Sequence, residues 1–156
     1  MTVRFTFLYL LPFILFGQTF EVSKSSKITY YGSHYTSDWQ GHSSGVNGII
    51  VYDAVDQTTN SCSLLVDLAT FDSGVSNRDS NMLTNVDAFQ YPDVIFVSNE
   101  ISMEGINASI KGQLTFHGIK RDINLTADIS FNDVFNAEGS FIILLSEYEV
   151  ERPALL

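Results

Sequence analysis

Three sets of side chains in the sequence could do chemistry: the adjacent Arg78 and Asp79, the single Cys62, and the histidines His34, His42 and His117. A guanidinium beside a carboxylate can hold an anion or position a proton. Here the pair opens a stretch with helical spacing, which favours a structural role. Asp79 in a first turn opposes the helix dipole, and Arg78 ties the helix to neighbouring carbonyls or carboxylates. The histidines lack the i, i+2 spacing that would aim two ligands from one strand, and no His/Cys/Asp cluster has zinc-site spacing. No metal site and no cofactor are therefore expected. His117 is opposite in parity to Leu114 and Phe116, so it points off their apolar face near a turn, where hydrogen bonding is its role. A lone Cys62 allows no intrachain disulfide, and its place in an apolar alternation predicts a buried, inert thiol. There is no phosphate-cradling glycine loop or dinucleotide fingerprint, and a side-chain catalytic site is not expected.

The elements that position these residues follow from a two-residue period, the strand signature. Ile123, Leu125, Ala127, Ile129 and Phe131 fall on one face, and Asn124, Thr126, Asp128 and Ser130 on the other. The same period puts Cys62, Leu64, Val66 and Leu68 on one face, Ile110, Leu114 and Phe116 on another, and Phe141, Ile143 and Leu145 on a third. Further strands are predicted at Lys27–Tyr31, Val46–Asp53 (carrying Val46 and Ile50), Pro92–Ser98 and Asn99–Glu104. Polar or glycine-bearing turns separate them at Asp56–Asn60, Asp72–Gly74, His117–Asp122 and Asn132–Gly139. From Ser76 to Phe89, Met82, Leu83, Val86 and Phe89 recur at helical spacing behind Ser76 or Asn77 as N-cap, and the helix stops before Tyr91-Pro92. Gln18–Ser26 reads as a loose lead-in. The fold class expected is all-β, about eight antiparallel strands with one short helix, and closing such a sheet into a barrel removes its edges.

The chain of 156 residues has room for one such domain. Met1–Arg4 carries one positive charge and Phe5–Phe16 is an apolar run broken by Thr6 and Pro12, which is too short to span a bilayer. It reads as a signal peptide over residues 1–17, cut after Gly17, leaving a barrel domain over 18–156. The domain is then exported, to a periplasmic or extracellular location. Loss of Arg4 from the 8 basic residues leaves 7 against 18 acidic, a formal charge of −11. That field repels phosphate backbones, so nucleic acid is not an expected partner.

SNRDSNMLTNVDAFQYPDVIFVS at 76–98 resembles the YceI-like family, in which a strand leads through Asn, Arg-Asp, a helix and Tyr-Pro into the next strand. LATFDSG at 68–74, GQLTFHGIKRDINL at 112–125, GVNGIIVYD at 45–53 and SEYEVERP at 146–153 resemble further family segments in the same order. The resemblance implies an exported, lipocalin-like eight-stranded barrel holding a long polyisoprenoid or similar amphiphilic lipid. Val46, Ile50, Leu64, Val66, Leu68, Ile110, Leu114 and Phe116 would then line an apolar tube, with Ile123, Leu125, Ile129, Phe141, Ile143 and Leu145 completing it. Tyr35 and Trp39 lie in the aromatic-rich segment 30–41. Either they meet the ligand's polar end at the mouth, or Trp39 closes one end as core, the reading slightly preferred. An anionic head would require Arg78, Lys120 or Arg121 near that mouth. The expected partners are a lipid or isoprenoid ligand and, as an option, a second copy in a homodimer. The competing expectation is a barrel filled by its own side chains that serves as an interaction or stress-protection module.

Overall fold

The computed structural model describes residues 17–151, apart from 35–36, 54, 57–59 and 132–133. The strands are β1 (Gln18–Glu21), β2 (Ile28–His34), β3 (Ser37–Ser43), β4 (Val46–Tyr52), β5 (Ser61–Asp67), β6 (Asp93–Glu104), β7 (Asn107–Phe116), β8 (Ile119–Phe131) and β9 (Phe135–Ser140), with one helix, α1 (Ser76–Asn85). Seven strands form a single curled antiparallel sheet in the order β1-β4-β5-β6-β7-β8-β9, and β2 pairs with β3 as a separate hairpin. The molecule is all-β and barrel-like, as its alternation predicts. Among the described residues no helix is long and apolar enough to cross a membrane.

Alternation builds the inner wall. In β7, Ala108, Ile110, Gly112, Leu114 and Phe116 are buried, while Asn107, Ser109 and Lys111 between them are exposed. Ile110 faces Ile101 on β6 and Leu125 on β8, and Leu114 faces Phe96, so the apolar residues of neighbouring strands meet on one side of the sheet.

Several expected boundaries move, each for a physical reason. The two strands expected at Pro92–Ser98 and Asn99–Glu104 are one strand, β6, with a bulge between Ser98 and Glu100. The extra residue switches parity, so Phe96 before it and Ile101 after it face the same way. His117 and Gly118 both have positive φ, 50° and 73°, which is the two-residue hairpin geometry, and β8 therefore starts at Ile119 and not at Ile123. Gln18–Glu21 is not a loose lead-in but pairs with β4, where Phe20 faces Ile50. β3 is a strand the sequence reading did not identify. Its register sets Trp39 against Gly32 and Tyr30 against Gly41, and a Cβ at either glycine would collide with the facing ring. Rings lying over glycines replace the usual apolar alternation, which hides the hairpin from a period count.

The C-terminal region shifts the most. β9 lies inside the stretch expected as a turn, whereas Phe141, Ile143 and Leu145 do not share a strand: residues 141–144 are irregular and Leu145–Tyr148 is a 3₁₀ turn. β9 is an edge strand rich in polar residues, so it carries little apolar signal. The apolar tract after it folds back, and Tyr148 and Val150 are what it buries. At the helix, Val75 takes the N-cap position without a side-chain bond, in place of Ser76 or Asn77, and α1 ends at Asn85, short of Phe89. Asp79 sits in the first turn as expected, its carboxylate accepting the Ser73 N–H at 3.0 Å.

Candidate functional site

The buried residues form one continuous cluster that runs through both halves of the interior. One half lies under α1. There Val66, Leu68, Phe116 and Val150 are buried, Leu114 is 2% exposed and Tyr148 1%. Met82 and Leu83 of α1 pack on this cluster, and Val46, half-buried, faces Val66 across the β4–β5 ladder. The Tyr148 ring lies 5.5 Å from that of Phe116. Its carbonyl is 2.7 Å from His117 Nδ1, and since a carbonyl only accepts, Nδ1 carries the proton. His117 therefore pins the C-terminal segment, the bonding role expected of it. Burial raises the Tyr148 phenol above the usual tyrosine range, with Glu147 adding to the rise and Arg121 opposing it.

The hairpin β2–β3 belongs to the same half. Ser43 and Thr70 hydroxyls meet at 2.5 Å, His42 and Asp72 exchange backbone hydrogen bonds, and the Tyr30 ring meets that of Phe71 at 5.6 Å. Burial, and then the Asp79 charge, raise the Tyr30 phenol, against the opposing Arg78. Trp39 is half-buried on this hairpin, outside the seven-stranded sheet, with the Arg78 guanidinium 5.5 Å over its ring. Arg78 thus ties the helix to the hairpin through an aromatic face. Tyr35 and residues 1–16 of the expected signal peptide lie outside the described residues, as does the side chain of His34.

From the level of Phe96 to the opposite end the wall changes character. Ile50, Leu64, Ile123, Leu125 and Ile129 point inward yet are only half-buried, as are Ile101 and Met103. The inward positions that are fully buried here are small, Cys62, Ala108 and Ala127, together with Ile110 at 9% exposure. Burial pushes the Cys62 thiol up to about 11, so it is a neutral, inert wall group. Phe96 marks the boundary, its ring lying across the bare backbone of Gly112.

This half ends in four rings. Phe20 of β1 stacks on Phe135 of β9 with centroids 4.8 Å apart and meets Phe131 edge-on at 5.9 Å, while Tyr52 approaches Phe135 at 5.5 Å. Beside them the β4–β5 connection is tied by Asp53 N–H donating to Asn60 Oδ1 at 2.6 Å, and buried Asn60 Nδ2 has no partner among the described residues. Sequence reasoning missed these rings because Phe20 stood in an apparent lead-in and Phe135 in an apparent turn. Of the residues expected to line the tube, Ile143 and Leu145 are half-buried against the core, and Phe141 is 43% exposed beyond β9. Arg121 donates to the Glu147 carbonyl at 3.2 Å, and Lys120 is beside it, so they and Arg78 all lie on the α1 side. One cleft of about 470 Å³ lies between Ala69, Leu83 and Phe89, and another of about 280 Å³ lies at the β6 bulge between Glu100, Lys111, Asp122 and Ile123. Among the described residues no group of three or more His, Cys, Asp or Glu could hold a metal ion.

The sequence model of the YceI-like domain matches residues 21–155. A UPF0312 protein of Pseudomonas fluorescens is 28% identical over 126 residues, which cover 72% of this chain and 62% of that relative. A second UPF0312 protein, from Photorhabdus laumondii, is 27% identical over 86 residues, covering 53% of this chain and 44% of the relative. The chain thus spans less than two thirds of the length of the curated relatives it matches. Among solved structures, BcnA of Burkholderia cenocepacia superposes with a TM-score of 0.77 at 20% identity, covering 85% of this chain and 86% of its own. A polyisoprenoid binding domain from Saccharophagus degradans superposes with a TM-score of 0.56 at 12% identity, covering 80% and 75%. With a barrel of this topology and a domain match that runs from β1 to the C-terminal segment, the chain belongs to the YceI-like family.

Proposed function

We propose that this protein is an exported, non-enzymatic carrier that holds the tail of a long-chain, polyisoprenoid-like lipid in the half of the barrel away from α1. The observation that carries the reading is the incomplete burial of inward-facing Ile50, Leu64, Ile123, Leu125 and Ile129 beside a tightly packed opposite half. Aliphatic side chains facing inward yet reachable by solvent offer the contacts an apolar chain completes. Each buried methylene contributes about 0.8 kcal/mol, so ten give about 8 kcal/mol before the tail is ordered, which is enough for micromolar binding. The polyisoprenoid binding domain of Saccharophagus degradans, similar in fold, supports the ligand class. With Arg78, Lys120 and Arg121 on the far side, a neutral head is preferred over a pyrophosphate. Residues 1–17 act as the export signal, delivering the domain to the periplasm or the exterior, and nucleic acid is not a partner of so acidic a chain. The unpaired edge of β9 is where a homodimer would form.

A second reading, a ligand-free interaction or stress-protection module, draws on one feature: the Phe96 ring across Gly112 already fills the middle of the barrel. Native mass spectrometry of protein purified without detergent separates the two. The carrier gives a stoichiometric lipid adduct with a long apolar chain. An unliganded mass that stays unliganded after incubation with a polyisoprenoid alcohol favours the module.

A further inference from the structure

The seven-stranded sheet has a consequence in its parity. Antiparallel neighbours alternate in direction, so with seven strands in the order β1-β4-β5-β6-β7-β8-β9 the two edge strands run the same way. An antiparallel ladder between β1 and β9 is therefore impossible, and among the described residues no ladder of either kind joins them. Rings meet across the gap: Phe20 from one edge against Phe135 and Phe131 from the other side, with Tyr52 behind them. Every other junction in the wall is a run of backbone hydrogen bonds. Along this seam the wall can part by rotating rings, without breaking a ladder.

Exposed apolar residues flank the polar edge strand β9 at both of its ends. Phe131 is 54% exposed and Val134 61% at the ring end, and Ile142 is 91% exposed just past the other end of β9. Behind the seam lie the half-buried Ile50 and Ile129. We propose that the β1–β9 seam is the lateral portal through which an apolar chain enters and leaves the barrel, with Phe20 and Phe135 as its latch and the exposed apolar residues of the β9 side resting on the lipid surface that supplies the chain. This inference rests on the carrier reading and adds the route and the donor.

The test uses Phe20→Cys/Phe135→Cys in a Cys62→Ala background, joined by a short, reducible bifunctional thiol reagent. Uptake of a fluorescent farnesol analogue from phosphatidylcholine vesicles is followed before joining, after joining, and after reduction. A portal at the seam predicts at least a tenfold slower uptake in the joined protein, with recovery on reduction. In parallel, Phe20→Ala/Phe135→Ala, which opens the latch, exchanges the probe faster than the parent protein. Equal uptake rates in joined and reduced protein overturn the portal and leave the carrier intact. No uptake by the parent protein at any probe concentration overturns the carrier, and the portal with it.

Discussion

The half of the barrel beneath α1 and the half that ends in four aromatic rings are built from the same strands but finished differently. Under α1, the helix, the hairpin β2–β3 and the C-terminal segment each add a layer, and Leu114, Phe116 and Tyr148 are shut in by them. At the ring end none of the described residues adds such a layer. Ile123 and Leu125 differ little from Leu114 in chemistry, yet remain half-buried. Burial here is set by what the rest of the chain brings to a strand and not by the strand's own residues. On the carrier proposal, the less buried half is the one that offers apolar surface to the ligand.

If that division is real, substitutions should grade with position. The largest effect belongs to Phe116→Ala: removing a ring from the α1 half, where Tyr148 packs on it, should destabilise by about 3–5 kcal/mol in urea denaturation. A comparably small loss would mean that this half is not the packed one. Next is alkaline pH. Below pH 9 the Cys62 thiol is protonated in both folded and unfolded chains. As pH rises through 9 towards its folded value of about 11, only the unfolded chain ionises. The Cys62 contribution should then fall by about 2–3 kcal/mol between pH 9 and 11, and Cys62→Ala should remove that part of the slope, leaving what the raised Tyr30 and Tyr148 phenols add at the alkaline end. Gly112→Ala acts at the boundary. Its methyl would collide with the Phe96 ring and the Val97 carbonyl, an overpacking worth about 1–3 kcal/mol in a thermal melt. Smallest is Phe131→Ala at the ring end, which should cost under about 1 kcal/mol of stability because the ring is largely exposed, while weakening retention of a bound isoprenoid alcohol. A loss of several kcal/mol there would make the rings part of the core and erase the contrast.

Much of the inner wall was legible from alternation alone. β5, β7 and β8 fell where Cys62–Val66, Ile110–Phe116 and Ile123–Phe131 placed their apolar faces, whereas Leu68, expected on the β5 face, begins a 3₁₀ turn once Asp67 caps it. What escaped was everything whose apolar partner comes from elsewhere in the chain. β1 has one inward ring, Phe20, and becomes a strand only because β4 supplies its ladder. β3 gains its packing from glycines across the hairpin. The bulge at Ser98/Glu100 breaks the count in the middle of a real strand. Conversely Phe141, Ile143 and Leu145 alternate well but come after the sheet has run out of partners. The same logic hid the ring end, since Phe20 and Tyr52 are far in sequence from Phe131 and Phe135 and meet them only when the sheet curls.

Methyl-resolved NMR during titration with a long-chain isoprenoid alcohol tests the division of the interior most directly. Ile50, Leu64, Ile123, Leu125 and Ile129 should show contacts to the ligand chain, while Val66, Leu68 and Leu114 keep their free-state signals. Contacts confined to the α1 half, or none to any inward methyl at saturating ligand, would contradict the account.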